Sequence, residues 1–140
     1  MQLCIIPDLH NRIDIAERII EKEGNSVDQF ILLGDYFDNY FEGPKTVNKV
    51  ATFLKSYCGD SRFKFLIGNH DLHYIIGHRS MRSSTWSQEK FDAINSIITE
   101  EDWSTFLWSY QVDSWLFSHA GVLMSDYSEK KLDDQLNSHL

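Results

Sequence analysis

Positive charge is scarce in this sequence. Thirteen Lys and Arg residues face 21 Asp and Glu, which leaves a net charge of −8. Affinity for a phosphate backbone comes from clustered Lys and Arg. No such cluster occurs, so the composition argues against a nucleic-acid surface. Cysteine occurs twice, as Cys4 and Cys58. Neither has a partner at metal-binding spacing, and Cys4 sits in an apolar run, so both read as reduced thiols rather than a disulfide. Long hydrophobic runs are lacking, which excludes a spanning helix of roughly 20 apolar residues. The N-terminus, MQLCIIPD, has neither the basic stretch nor the small-residue cleavage site of a secretion signal. The cytoplasm is therefore the expected compartment. Repeats, low-complexity tracts and linkers are lacking too, so residues 1–140 read as a single domain.

Hydrophobic residues make up 42% of the chain, enough for a core. Their pattern alternates strand and helix. Leu3 to Pro7, Phe30 to Leu33 and Phe63 to Ile67 are short apolar runs of strand type. Between them, Ile13, Ala16, Ile19 and Ile20 recur at helical spacing, with Gly24 placed to end the helix. Val47, Val50, Ala51, Leu54 and Tyr57 form a second amphipathic stretch, with Pro44 near its start. Strands separated by helices predict a parallel sheet with right-handed crossovers. Further on, Phe91, Ile94, Ile97 and Ile98 predict a helix, and Trp103 to Trp108 a shorter one. Tyr110–Val112 and Trp115–Ser118 predict two strands around a tight turn at Asp113–Ser114. The four tryptophans, Trp86, Trp103, Trp108 and Trp115, read mainly as core. Near the end, Asp126 and Glu129 predict a helix cap, and Leu132, Leu136 and Leu140 a stripe that packs or forms an oligomer.

Polar clusters follow four of the strands. They read Pro7-Asp8-Leu9-His10, Gly34-Asp35-Tyr36-Phe37-Asp38, Gly68-Asn69-His70-Asp71 and Ser118-His119-Ala120-Gly121. In an open parallel sheet, ligands bind where the strands' carboxyl ends meet. The four clusters would thus bring carboxylates, an amide oxygen and imidazoles to one edge. Hard oxygen donors mixed with imidazole, without thiolate, suit two close divalent ions, Mn first, with Fe or Zn also accommodated. Such a pair can clamp a phosphoryl group for in-line displacement. Taken one at a time, each residue also has a plainer reading as a turn, a helix cap or a surface histidine.

Together the four blocks resemble the signature of the calcineurin-like metallophosphoesterases, over residues 3–122. The resemblance implies an α/β fold of the αββα sandwich type with mixed sheets. It implies a phosphoesterase that uses two divalent metal ions and attacks phosphate esters with a metal-bridging hydroxide. Asp8, His10, Asp35, Asn69 and His119 would be the metal ligands, with Asp35 bridging. His70 would protonate the leaving oxygen, with Asp71 orienting its ring. Asp38 is read as holding a ligand by hydrogen bonds. Gly68-Asn69-His70-Asp71-Leu72-His73 with His119-Ala120-Gly121 is similar to the diadenosine tetraphosphate hydrolases and the serine/threonine phosphatases. Asn39 stands where those proteins place an arginine, and the block with Asn39 and Tyr40 is more similar to bacteriophage metallophosphoesterases. Arg12, Arg79 and Arg82 could replace that arginine, but each reads better as a surface charge. The Gly-His block that the family carries after His119 does not occur in residues 120–140. The expectation is a domain shortened at its C-terminal end, and the alternative function is a remnant that binds metal or a phosphorylated partner without hydrolysis. A nuclease fits the chemistry but not the acidic surface.

Overall fold

Three of the apolar runs become the strands of one sheet. The computed structural model describes residues 1–39, 42–78, 80 and 82–121. β1 (Leu3–Ile6), β2 (Gln29–Leu32) and β3 (Phe63–Phe65) pair in parallel, in the order β1-β2-β3. Ile6 pairs with Leu32, and Leu32 with Phe65, so the three carboxyl ends finish level. Parallel neighbours need long crossovers. Here α1 (Ile13–Glu23) and α2 (Pro44–Tyr57) provide them.

The central strand shows why the sheet has two covers. Phe30, Ile31 and Leu32 are all fully buried. Alternate residues of a strand face opposite ways. Phe30 and Leu32 join a cluster with Ala16 of α1, Val50 and Leu54 of α2, and Tyr74 and Ile94 from later helices. Ile31 joins Leu66 and Val112 on the other side. Burying a side chain of this size contributes about 1.5–3 kcal/mol, so a strand covered on both faces is strongly fixed.

Val112 belongs to an antiparallel hairpin, β4 (Ser109–Val112) and β5 (Trp115–Ser118), in which Ser109 pairs with Ser118. Asp113 takes φ 52° at its turn. Helices thus cover one face of the parallel sheet and the hairpin the other, in a mixed α/β fold with parallel and antiparallel sheets. The chain returns to β5 through α3 (Asn69–Ile76), α4 (Gln88–Asn95) and α5 (Glu100–Trp103).

Some expectations need correction or placing. α3, for which the sequence shows no helical period, begins at Asn69 inside the third polar cluster. α5 begins at Glu100 rather than Trp103, because Thr99 and Asp102 form a capping box that starts the helix earlier. Leu107 then pairs with Leu66 as an isolated bridge. Trp115 is 69% exposed, not core: it pairs with Val112 at the turn end of the hairpin. The expected cap at Asp126 and the Leu132–Leu140 stripe lie outside the described residues, as do Tyr40 and Arg79.

Candidate functional site

Because β1, β2 and β3 end level, the loops that follow them meet. Leu9 and His10 donate backbone N–H bonds to Asp35 O at 3.1 and 2.9 Å, and Asn11 donates to Tyr36 O at 2.8 Å. The second junction needs glycine. Gly34 has φ 101°, and a Cβ there would lie 2.5 Å from Gly68 N. A Cβ on Gly68 would lie 2.2 Å from both Asp35 N and Asp35 Oδ1. The two glycines let the ends of β2 and β3 touch, and Asp35 comes to rest at the start of α3. There its Oδ1 accepts the His70 N–H at 2.8 Å, where a helix N-terminus favours negative charge.

Four residues of these loops hold left-handed backbone: His10 (φ 42°), Asn11 (φ 67°), Asp35 (φ 51°) and Asp38 (φ 68°). Such conformations cost about 1–3 kcal/mol each outside glycine and gather at functional sites.

The expected ligands converge. Asp8, His10 and Asp35 each offer a ligand atom within 4.8 Å of the others. His119 joins from the end of β5, with Nε2 3.1 Å from Asn69 Oδ1 and 3.5 Å from Asp35 Oδ1, and Nδ1 3.7 Å from Asp8 Oδ1. Both histidines are oriented alike. His10 Nδ1 meets Phe37 O and Asp38 O at 3.2 and 3.1 Å, and His119 Nδ1 meets Leu33 O at 2.9 Å. A carbonyl accepts only from a protonated ring nitrogen, so these contacts place an N–H at Nδ1 and turn Nε2 toward the cluster. In both rings Nε2 points at Asp35: His10 Nε2 lies 3.7 Å from Oδ2, and His119 Nε2 lies 3.5 Å from Oδ1. A carbonyl behind the ring and a second nitrogen facing oxygen donors in front is how metal-binding histidines are held. The donor set therefore fits divalent metal. Asp8 and Asn69 are exposed, so the cluster opens to solvent.

The structure departs from expectation at Asp71. Its carboxylate was expected to orient the His70 ring. Instead Asp71 is fully buried, and its oxygens accept backbone N–H bonds from Asp35, Tyr36 and Gly68, each at 2.8 Å. Three positions into the helix, the side chain folds back over the first turn and ties β2, β3 and α3 together. Burial pushes this carboxyl up, to about 8, against the pull of those backbone bonds.

Asp38 meets the His70 ring instead. His70 Nδ1 lies 3.3 Å from Asp38 Oδ2. The Asp38 side chain has no exposed surface, and Tyr74 Oη, Thr85 Oγ1 and Lys90 Nζ donate to it at 2.7, 2.8 and 3.2 Å. His73 Nε2, fully buried, lies 2.9 Å from Oδ2. Burial raises the Asp38 carboxyl, but hydrogen bonds from His73, Tyr74, Thr85 and His70 outweigh it and hold it well below the usual carboxylate range. The burial of Tyr74 and its bond to Asp38 push that phenol up.

Sequence reasoning missed Thr85, Tyr74 and Lys90 as parts of this site. A signal existed for Lys90, which stands four residues before Ile94 and so shares the inward face of its helix. Thr85 lies in a segment with no periodicity. The expected surface arginines fit that reading: Arg12 pairs with Asp14 at 3.1 Å, and Arg82 lies 3.5 Å over the Trp86 ring. His78 is exposed and bonds Ser80.

A family model for calcineurin-like phosphoesterases matches residues 1–139. The chain belongs to the calcineurin-like phosphoesterase family. No curated protein and no solved structure matches it. Calcineurin-like phosphoesterases are in general metal-dependent hydrolases of phosphoester bonds, and the Asp8–His10–Asp35 group is where this member can hold metal. No helix among its described residues is long and apolar enough to cross a membrane.

Proposed function

We propose that this calcineurin-like phosphoesterase hydrolyses phosphate esters, with His70 as the acid that protonates the leaving oxygen. The observation that supports it most is the shared orientation of His10 and His119, each backed by a backbone carbonyl with Nε2 facing one oxygen of Asp35. Asp35 presents Oδ2 to one side and Oδ1 to the other, so it could be shared by two metal ions. Asp8 and His10 would complete one position, and Asn69 and His119 the other. Divalent ions there, manganese by preference, would supply Lewis-acid stabilisation and an activated water.

The protein's own residues do the rest. The ester phosphate sits over the cluster on its open side, between Asp8 and Asn69. His70 stands beside it, its ring centroid 5.2 Å from that of His10. With Nδ1 on Asp38, Nε2 is the atom free to give a proton. As the water oxygen forms its bond to phosphorus, the ester P–O bond breaks, and the Nε2 proton passes to the departing oxygen. The products are phosphate, or a monoester if the substrate is a diester, and an alcohol. Asp38 fixes the orientation of the ring through Nδ1.

The test is hydrolysis of p-nitrophenyl phosphate and bis(p-nitrophenyl) phosphate by the full chain with Mn²⁺. Asp35→Asn is expected to lose both turnover and metal binding. His70→Ala is expected to keep the metal and lose about 100-fold or more in kcat. A folded wild-type chain that binds Mn²⁺ but turns over neither ester would sink the catalytic reading and leave a metal-binding remnant.

A further inference from the structure

We infer that Lys90 is a positioning residue for the His70 acid, acting through Asp38. The inference rests on the acid role proposed for His70 and extends it to an element that contributes none of the ligands.

Lys90 is 8% exposed, on α4. A buried ammonium must be paired. Lys90 Nζ has two partners, Asp38 Oδ1 at 3.2 Å and the Thr85 carbonyl at 2.9 Å. The helix start that carries it is fixed in turn, because Ser87 Oγ accepts the Lys90 N–H at 3.2 Å. Lys90 is therefore a fixed charge on a fixed stem.

The division of labour on the carboxylate gives that charge its use. Oδ1 receives Lys90 and the Tyr74 hydroxyl. Oδ2 receives Thr85 Oγ1 and His70 Nδ1, beside His73. A carboxylate is planar, so clamping Oδ1 fixes where Oδ2 points, and with it the His70 ring. Asp38 also holds the other half of the site, since its backbone carbonyl meets His10 Nδ1 at 3.1 Å. Among the described residues, no other Lys or Arg side chain makes an ion pair with Asp38. Without Lys90, the carboxylate keeps its hydroxyl donors but loses the cation that offsets its burial, and it is free to turn toward solvent and away from Nδ1.

The experiment compares leaving groups. Phenol is a poor leaving group and needs the proton, whereas 2,4-dinitrophenol leaves without one. Full-length wild type, His70→Ala, Lys90→Met, Lys90→Gln and Lys90→Arg are assayed with Mn²⁺ on phenyl and 2,4-dinitrophenyl esters of phosphate. Lys90→Met is expected to lower kcat on the phenyl ester about 10- to 100-fold, the range seen when the partner behind a working group is removed. The loss on the dinitrophenyl ester is expected to be several-fold smaller, with KM and calorimetric Mn²⁺ affinity near wild type. Lys90→Arg is expected to restore part of the phenyl-ester rate. Equal loss on the two esters, or a change confined to KM or Mn²⁺ affinity, would overturn the positioning role. If Lys90→Met does not fold, Lys90→Gln, which keeps a donor without the charge, decides by the same comparison. The parent reading fails separately: a His70→Ala variant that loses equally on both esters removes the acid role itself, whatever the Lys90 variants do.

Discussion

Asp38 and Asp71 are both buried carboxylates, and their surroundings drive them in opposite directions. The Asp38 carboxyl is held below its unfolded value by hydrogen bonds that outweigh burial. Its contribution to stability is present above the unfolded pKa and is lost as the pH falls through the acid range. Asp71 is raised by burial to about 8, so its contribution is present at low pH and declines as the pH rises from the unfolded value toward about 8. Subtracting variant from wild type isolates each. In urea unfolding from pH 3 to 8, the stability lost in Asp38→Asn should grow as the pH rises through about 4. For Asp71→Asn it should shrink over the same span, leaving a loss of about 1–3 kcal/mol wherever the amide sets an N–H against backbone N–H groups. A pH-independent difference for either variant would remove the assignment. At this scale the sequence was partly legible. Asp8, His10, Asp35, Asn69 and His119 each sit just past an apolar run, and strand geometry alone carries them together. Asp71 was misassigned because spacing along the chain does not say which way a side chain turns at a helix start.

The strands were legible because each is a short apolar run between helical stretches of the right length. α3 was not, because its first turn, Asn69-His70-Asp71, is polar for the sake of the site and hides the helical period. α5 slipped because its cap outweighed its apolar residues. What joins β2 to β3 is the contact of Gly34 and Gly68. Gly68→Ala would drive a methyl group into Asp35, whose N and Oδ1 both lie 2.2 Å from the Cβ position. The expected result is lost Mn²⁺ binding together with destabilisation of about 1–3 kcal/mol, the range for overpacking. Calorimetric titration and a thermal melt read the two effects. An alanine variant with normal Mn²⁺ affinity would show that Asp35 can move aside without harm to the site.

Across the whole molecule, the proposed ligands come from the ends of β1, β2, β3 and β5, so residues 8 to 119 must be in place before the set exists. On that proposal metal binding is linked to folding. A ligand present at 100 times its Kd adds about 2.7 kcal/mol to stability. Mn²⁺ should raise Tm in a concentration-dependent way, EDTA should reverse it, and Asp35→Asn should abolish the response. A Tm indifferent to Mn²⁺ at saturating concentration would mean that the unfolded chain binds it as well. The order of the four blocks made this convergence legible. The hairpin's place as the second cover of the sheet was not, because its strands carry Gln111 and Ser118 among the apolar residues and give no partner away.

The left-handed residue His10 sets selection for heat tolerance against selection for function. Glycine there would relax the backbone at once. A randomised library of this chain screened only for survival after heating should therefore accumulate glycine at position 10, while Asp38 stays because its carboxylate pairs the buried Lys90. Its winners would be tougher proteins with an empty hand. Sequencing the survivors reads that drift directly.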